Sequence, residues 1–179
     1  MFNLEEVIDG CIKNKRKAQI ELYKQYAPLL LAVCMRYVAD KSEAEDILQE
    51  AFFKILKSIK EYSGKGHFEN WMKRIVVNTA ITYFHREKKH YYHEEIESLK
   101  DFELQYTLSP DKKLDEKELY NLLMQMPEGY KVIFNMYAIE GFKHKEIAEK
   151  LGIEESTSKT QYLRAKNWLI KEMQKLNWI

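Results

Sequence analysis

Six glycines and three prolines are all that interrupt 179 residues, and between them apolar side chains recur at intervals of three and four. A chain so poor in breakers cannot make the frequent turns of a β-rich fold, and its apolar period is that of helices burying one face. The expected class is all-α. Pro28 is expected to interrupt or start a helix near Ala27, and Ser42 with Glu45 reads as a capping box opening a helix over 43–60. Ser63-Gly64-Lys65-Gly66 is a flexible loop, followed by a helix from about Glu69 to Lys89. Residues 90–108, HYYHEEIESLKDFELQYTL, lose the period, and Ser109-Pro110 then supplies an N-cap and first-turn pair. Beyond it one helix carries Leu119, Leu122, Leu123 and Met126, Pro127 breaks it, and the next carries Val132, Ile133, Met136 and Tyr137. The chain therefore reads as two small helical domains, 1–89 and 111–179, joined by a flexible acidic linker over 90–110.

Charge and cysteine content narrow the chemistry. A formal net charge of +1 creates no global field, so any attraction for nucleic acid must come from local segregation. Such segregation is present. Residues 71–89 carry Lys73, Arg74, Arg86, Lys88 and Lys89 against Glu87, whereas residues 94–103 carry Glu94, Glu95, Glu97, Asp101 and Glu103 against Lys100. Cys11 and Cys34 sit in helical contexts without metal-ligand spacing, which predicts reduced, partly buried thiols. No cofactor or metal is expected: His90 and His93 stand among tyrosines in the linker, and no glycine-rich phosphate loop occurs. The longest apolar run, near Leu29–Met35, is too short to cross a bilayer, which predicts a cytoplasmic protein without membrane insertion.

The segment 143–166, KHKEIAEKLGIEESTSKTQYLRAK, reads as two short helices around a tight turn. Ile147, Ala148 and Leu151 share the first helix's inner face, Ala148 leaving room for a crossing helix. Gly152 permits the turn and Ile153 plugs the corner. The second helix starts at Glu154–Thr157 and presents Ser156, Thr157, Lys159, Thr160, Gln161 and Arg164, donors suited to phosphates and base edges. This is the pattern of a helix-turn-helix aimed at the DNA major groove. An ordinary polar helical hairpin is the bland alternative.

Two further helix faces depart from simple core-and-solvent patterning. On the helix 43–60, Ala44, Leu48, Ala51, Phe52, Ile55 and Ile59 form one apolar face at about 100° per residue. Asp46, Glu50 and Phe53 lie opposite, with Gln49 alongside. An exposed aromatic beside two carboxylates suits a partner surface that is basic and has an apolar pocket, unless Phe53 simply covers the N-terminal helices. On the helix 69–89, Met72, Val76, Val77, Ala80, Tyr83 and Phe84 make the core face. Trp71, Arg74, Asn78, Thr82 and His85 make the other. Rings that stack and an amide that bonds a base edge suit unstacked bases, the alternative being that Trp71 and His85 pack against a neighbouring helix.

Taken in order, AEDILQEAFFKIL, FENWMKRIVVNTAITYFHR and MPEGYKVIFNMYAIEGFKHKEIAEKLGIEESTSKTQYLRAK resemble three segments of the bacterial extracytoplasmic-function (ECF) sigma factors, two-domain members of the sigma-70 family. The resemblance covers nearly the whole chain. It implies a non-catalytic transcription initiation factor that binds RNA polymerase core, recognises promoter DNA at two elements and helps to open it. Asp46, Gln49, Glu50 and Phe53 would grip the clamp of the largest polymerase subunit, and the C-terminal domain would meet the flap of the second-largest. The loop Ser63–Asn70, with Gly64, Lys65 and His67, together with Trp71, Arg74, Asn78, Thr82, His85 and Arg86, would take the minus-ten element and a base flipped from it. Ser156, Thr157, Lys159, Thr160, Gln161, Leu163 and Arg164 would face the minus-thirty-five element. An anti-sigma factor is the implied silencing partner.

Two departures stand out. Where many members have a valine after the threonine and an arginine three residues later, this chain has Ser158 and Gln161. Two rival classes remain. A helix-turn-helix repressor or activator explains 143–166 but not the Asp46–Glu50–Phe53 face. An enzyme acting on nucleic acid would need clustered carboxylates or ligands in two elements. The acidic connector is either a mimic of nucleic acid in the path of nascent RNA or a solvated tether.

Overall fold

The computed structural model describes residues 2–87 and 116–179. The linker expected over 90–110, with its carboxylates, His90 and His93, lies outside the described residues. Among those residues there are helices and no strand. Their order is α1 (Leu4–Ile12), α2 (Arg16–Met35), α3 (Lys41–Ser58), a 3-10 turn (Ile59–Glu61), α4 (Phe68–Glu87), α5 (Glu116–Met124), α6 (Glu128–Phe134), a π turn (Asn135–Ile139), α7 (His144–Leu151) and α8 (Glu155–Lys175). Two units result, Met1–Tyr83 and Phe84–Ile179, the division falling inside α4.

In the first unit α1 packs on α2, and α2 on α3. Gly10 lets the first pair close. A Cβ built there would lie 2.6 Å from the Cβ of Ala18, so any larger residue would push α1 and α2 apart. Leu22 and Leu30 of α2, Ile47 and Ile55 of α3, and Met72 of α4 are fully buried. Burying each such side chain contributes about 1.5–3 kcal/mol.

Two local expectations change. The cap of α3 is Asp40, whose Oδ1 accepts from the Glu43 amide at 3.0 Å. Ser42 therefore sits inside the first turn and caps nothing there, because the Asp40 carboxylate two residues earlier already meets the N3 amide. Pro28 neither starts nor interrupts a helix: it lies within the continuous α2. Pro28 is exposed, and the ends of this 20-residue helix are held by Leu22, Leu30, Val33 and Cys34 in the core. That burial outweighs one missing hydrogen bond.

In the second unit α8 is the spine, packed by α5, α6 and α7. Leu122, Met126, Val132, Ile133, Met136, Ile147, Leu151 and Ala165 form its core. The helix after Pro127 does not run on regularly. It widens into the π turn, closed by the Glu140 amide on the Asn135 carbonyl at 2.9 Å. α7 then opens with the Glu146 carboxylate accepting from the Lys143 amide at 2.8 Å. It ends at Gly152 in the left-handed conformation, φ +64°. Cys11 and Cys34 are free and buried. Burial pushes both thiols up, that of Cys34 to about 12.

Candidate partner and nucleic-acid interfaces

The face of α3 turned from the core is open to solvent. Asp46, Gln49 and Glu50 are exposed, and Phe53 keeps 69% of its surface accessible, the largest value among the exposed apolar side chains of the described residues. Phe53 does not cover the N-terminal helices; that task falls to Phe52, which meets Tyr23 edge-on at 4.9 Å. Glu50 is positioned. Lys54 binds it at 2.6 Å and also reaches the Thr79 hydroxyl on α4 at 3.3 Å, so the carboxylate is oriented by a lysine anchored to the next helix. A groove between α2 and α3, lined by Tyr23, Ala27, Pro28, Leu31, Leu48 and Gln49, runs beside this face.

The loop leading into α4 is shaped by aromatic rings. Tyr62 donates its hydroxyl to the Gly66 carbonyl at 2.7 Å, and Gly64 and Gly66 adopt φ of +73° and +82°. Below the loop, Tyr62 meets Phe68 at 5.0 Å, Phe68 stacks on Trp71 at 5.4 Å, and Tyr26 meets Phe68 at 6.1 Å. Burial, then the charge of Glu69, raises the Tyr26 phenol. Gly64, Lys65 and His67 are thus held outward and exposed on a loop whose two ends are pinned.

Trp71 packs against neighbouring rings. It is half-buried against Phe68 and Tyr62, on the helix that also carries Arg74, Asn78, Thr82 and His85. Arg74, Thr82 and Arg86 are exposed, and Asn78 and His85 half-buried. Thr82 donates its hydroxyl to the Asn78 carbonyl at 2.8 Å. Its oxygen still has lone pairs for a further donor.

On α8, Ser156, Lys159 and Thr160 are exposed, and Thr157, Leu163 and Arg164 half-buried. Lys159 pairs with Glu155 at 2.7 Å, and this ion pair holds the Glu155 carboxyl below its usual range. So exposed a pair is worth little and yields readily to a phosphate. Gln161 departs from its expected place among the outward donors. It is 5% exposed, on the inner face with Ser158 and Ala165, because positions 158, 161 and 165 keep the spacing of the core stripe. A base contact from Gln161 would require it to leave that interior.

One cluster escaped the sequence reading altogether. His144, first residue of α7, stacks on Tyr137 at 4.2 Å, and its Nδ1 lies 3.0 Å from the buried Ser158 hydroxyl on α8. Tyr162 lies against Tyr137 at 4.5 Å. Burial, then Lys159, lowers the His144 pKa, which Glu155 partly offsets. Burial, then Tyr137, raises the Tyr162 phenol. Ser158, one of the two departures, thus meets His144 in one hydrogen bond across the turn. Tyr137 belongs to the π turn, which no sequence period announces.

Among the described residues no group of three or more His, Cys, Asp or Glu side chains is placed to hold a metal ion, and no helix is long and apolar enough to cross a membrane.

Comparison with known proteins agrees with this geometry. Residues 22–90 match the family model for sigma-70 region 2, and residues 116–169 that for sigma-70 region 4. The chain is 31% identical over 131 residues to the RNA polymerase sigma factor SigV of Bacillus subtilis, covering 72% of this chain and 75% of that protein. It is 25% identical to the ECF RNA polymerase sigma factor SigW of the same organism, covering 97% and 100% of the two chains. Similarity to the RNA polymerase sigma-H factor of Pseudomonas aeruginosa is 25% identity over 96% of this chain and 94% of that one. An ordinary helix-turn-helix regulator leaves the match over 22–90 without an explanation. The chain belongs to the sigma-70 family of RNA polymerase sigma factors, within its extracytoplasmic-function group.

Proposed function

We propose that the three surfaces divide the work of transcription initiation: α3 docks on RNA polymerase core, the Tyr62–Gly66 loop with α4 captures the opened minus-ten element, and α8 reads the minus-thirty-five duplex. Residues 1–89 and 111–179 act as the two DNA-facing domains and 90–110 as the connector. The observation that carries this reading is Phe53, an aromatic ring left 69% exposed beside Asp46, Gln49 and Glu50. Leaving so large an apolar side chain in water is warranted by a partner that covers it. The partner is the clamp of the largest polymerase subunit, with the flap of the second-largest meeting the C-terminal domain.

Capture of the opened strand follows from a loop that is already shaped. Because Tyr62 and the two glycines hold it open before DNA arrives, little ordering entropy is lost on binding. Lys65 and Arg74 supply charge to the backbone, while Trp71, Asn78 and His85 supply an edge and polar groups to an unstacked base. Ser156, Lys159, Thr160 and Arg164 meet phosphates and base edges in the major groove. The chain performs no covalent chemistry and works in the cytoplasm, where polymerase is. An anti-sigma factor silences it by covering the α3 face.

A pull-down on polymerase core tests the reading. Asp46→Lys with Glu50→Lys should abolish association while helicity stays intact, and Lys159→Ala with Arg164→Ala should leave core binding unchanged yet weaken upstream duplex binding by about 1–3 kcal/mol per lost base contact. Equal retention of the Asp46 and Glu50 double variant would overturn it.

A further inference from the structure

The exposed row on α3 does not end at Phe53. Lys57 follows four residues later, still on α3, and Lys60 lies just beyond in the 3-10 turn Ile59–Glu61, both exposed, so one row runs Asp46, Gln49 and Glu50, Phe53, Lys57 along α3 and is extended by Lys60 in the turn. The row is about 21 Å long. Its charge is polarised: carboxylates at the N-terminal end, lysines toward the C-terminal end, where Glu61 follows Lys60 in the turn, and the aromatic ring between them. Glu50 is shared with Lys54 at 2.6 Å, whereas among the described residues Asp46, Lys57 and Lys60 have no ion-pair partner.

We infer that the polymerase surface docked on α3 is itself charge-polarised, basic where it meets Asp46 and Glu50 and acidic where it meets Lys57 and Lys60, so that this row fixes the direction of docking as well as its site. The inference rests on the assignment of α3 to polymerase core. The groove beside the acidic half accepts an apolar side chain of the same partner, and Phe53 inserts into a pocket at the centre of the contact. With an anchor at the centre and opposite charges at the ends, a partner rotated by half a turn sets like charges against each other at both ends. Like-charge contacts exclude wrong registers more strongly than rim ion pairs add affinity.

A nucleic-acid strand is the other polyanion that lysines attract, and the same row argues against it. A strand bound by Lys60 and Lys57 and continuing along α3 would cross the Phe53 ring and run into Asp46 and Glu50. A protein surface can change sign over that distance; a phosphate backbone cannot.

Four forms of the full chain test the inference by equilibrium binding to RNA polymerase core across a salt series: wild type, Asp46→Lys with Glu50→Lys, Lys57→Glu with Lys60→Glu, and all four reversals together. All these positions are exposed, so unchanged helical circular dichroism and melting are expected for each. The lysine double variant should bind core at least about tenfold more weakly at low salt, with a deficit that shrinks as salt rises. The fourfold variant has the wild-type net charge and the opposite polarity, and should bind more weakly than the lysine double variant and recover none of the binding that the acidic double variant loses.

Wild-type core affinity of the lysine double variant, with loss appearing only when the assembled holoenzyme binds promoter DNA, would overturn the inference in favour of phosphate contacts. Recovery of wild-type affinity by the fourfold variant would overturn it in favour of net charge alone. If the acidic double variant also binds core as wild type does, the assignment of α3 itself is wrong. If only the acidic variant loses binding, that assignment stands and the polarity fails.

Discussion

Phe53 is the residue at which the proposed binding role can be separated from folding within one side chain. It adds little to the core, being 69% exposed, while its neighbours Phe52 and Ile55 are buried. Phe53→Ala should therefore change unfolding free energy in urea by no more than about 0.5 kcal/mol, yet weaken association with polymerase core by about 2 kcal/mol or more, as removal of a central anchor does. Comparable losses in both measurements would mean that the ring has a structural role. His144 makes a different prediction. Its pKa in the folded chain is lowered from 6.5, so below that pH the unfolded chain binds the extra proton more readily. The contribution of this group to stability is complete above about pH 6.5 and declines as pH falls. Chemical unfolding of the wild type from about pH 7.5 to about pH 5.5 should show this loss, and His144→Phe should reduce the slope. Identical slopes in the two proteins would refute it. The pair was hidden from the sequence because residues 144 and 158 meet only through the turn at Gly152, whereas the exposure of Asp46, Glu50 and Phe53 followed from spacing along one helix.

At the scale of the element, helix existence was readable and helix beginnings were not. The stripe Ala44, Leu48, Ala51, Phe52, Ile55 placed α3 correctly, since all five are buried, but its cap is Asp40 rather than Ser42. Several polar residues near a helix start can each cap it, and local sequence does not rank them. Gln161 shows the converse: its polarity suggested an outward role, while its spacing from Ser158 and Ala165 already put it inside. Pro28 shows tertiary packing overriding a local signal, with α2 continuous through it. A proline in a helix interior forgoes a hydrogen bond, so Pro28→Ala should stabilise the chain by about 1–3 kcal/mol. A shift of the urea midpoint to higher concentration with unchanged m-value checks this; a lower midpoint would show that the ring itself packs usefully against the groove it lines.

For the whole molecule, a net charge of +1 conceals separated surfaces: a polarised face on α3, a pinned loop before α4 and a donor row on α8. Each is weak evidence alone, and a helix-turn-helix regulator would need only the last. Their order along one chain matches sigma-70 regions 2 and 4. The most direct test is run-off transcription on a promoter library with purified RNA polymerase core, with and without this chain, combined with permanganate footprinting. The chain should make core initiate at a defined subset of promoters, with thymines near each start site becoming reactive, and Asn78→Ala should reduce that opening without loss of core binding. A chain that binds duplex DNA through α8 but elicits no promoter-dependent transcript and no opening from core would contradict the account.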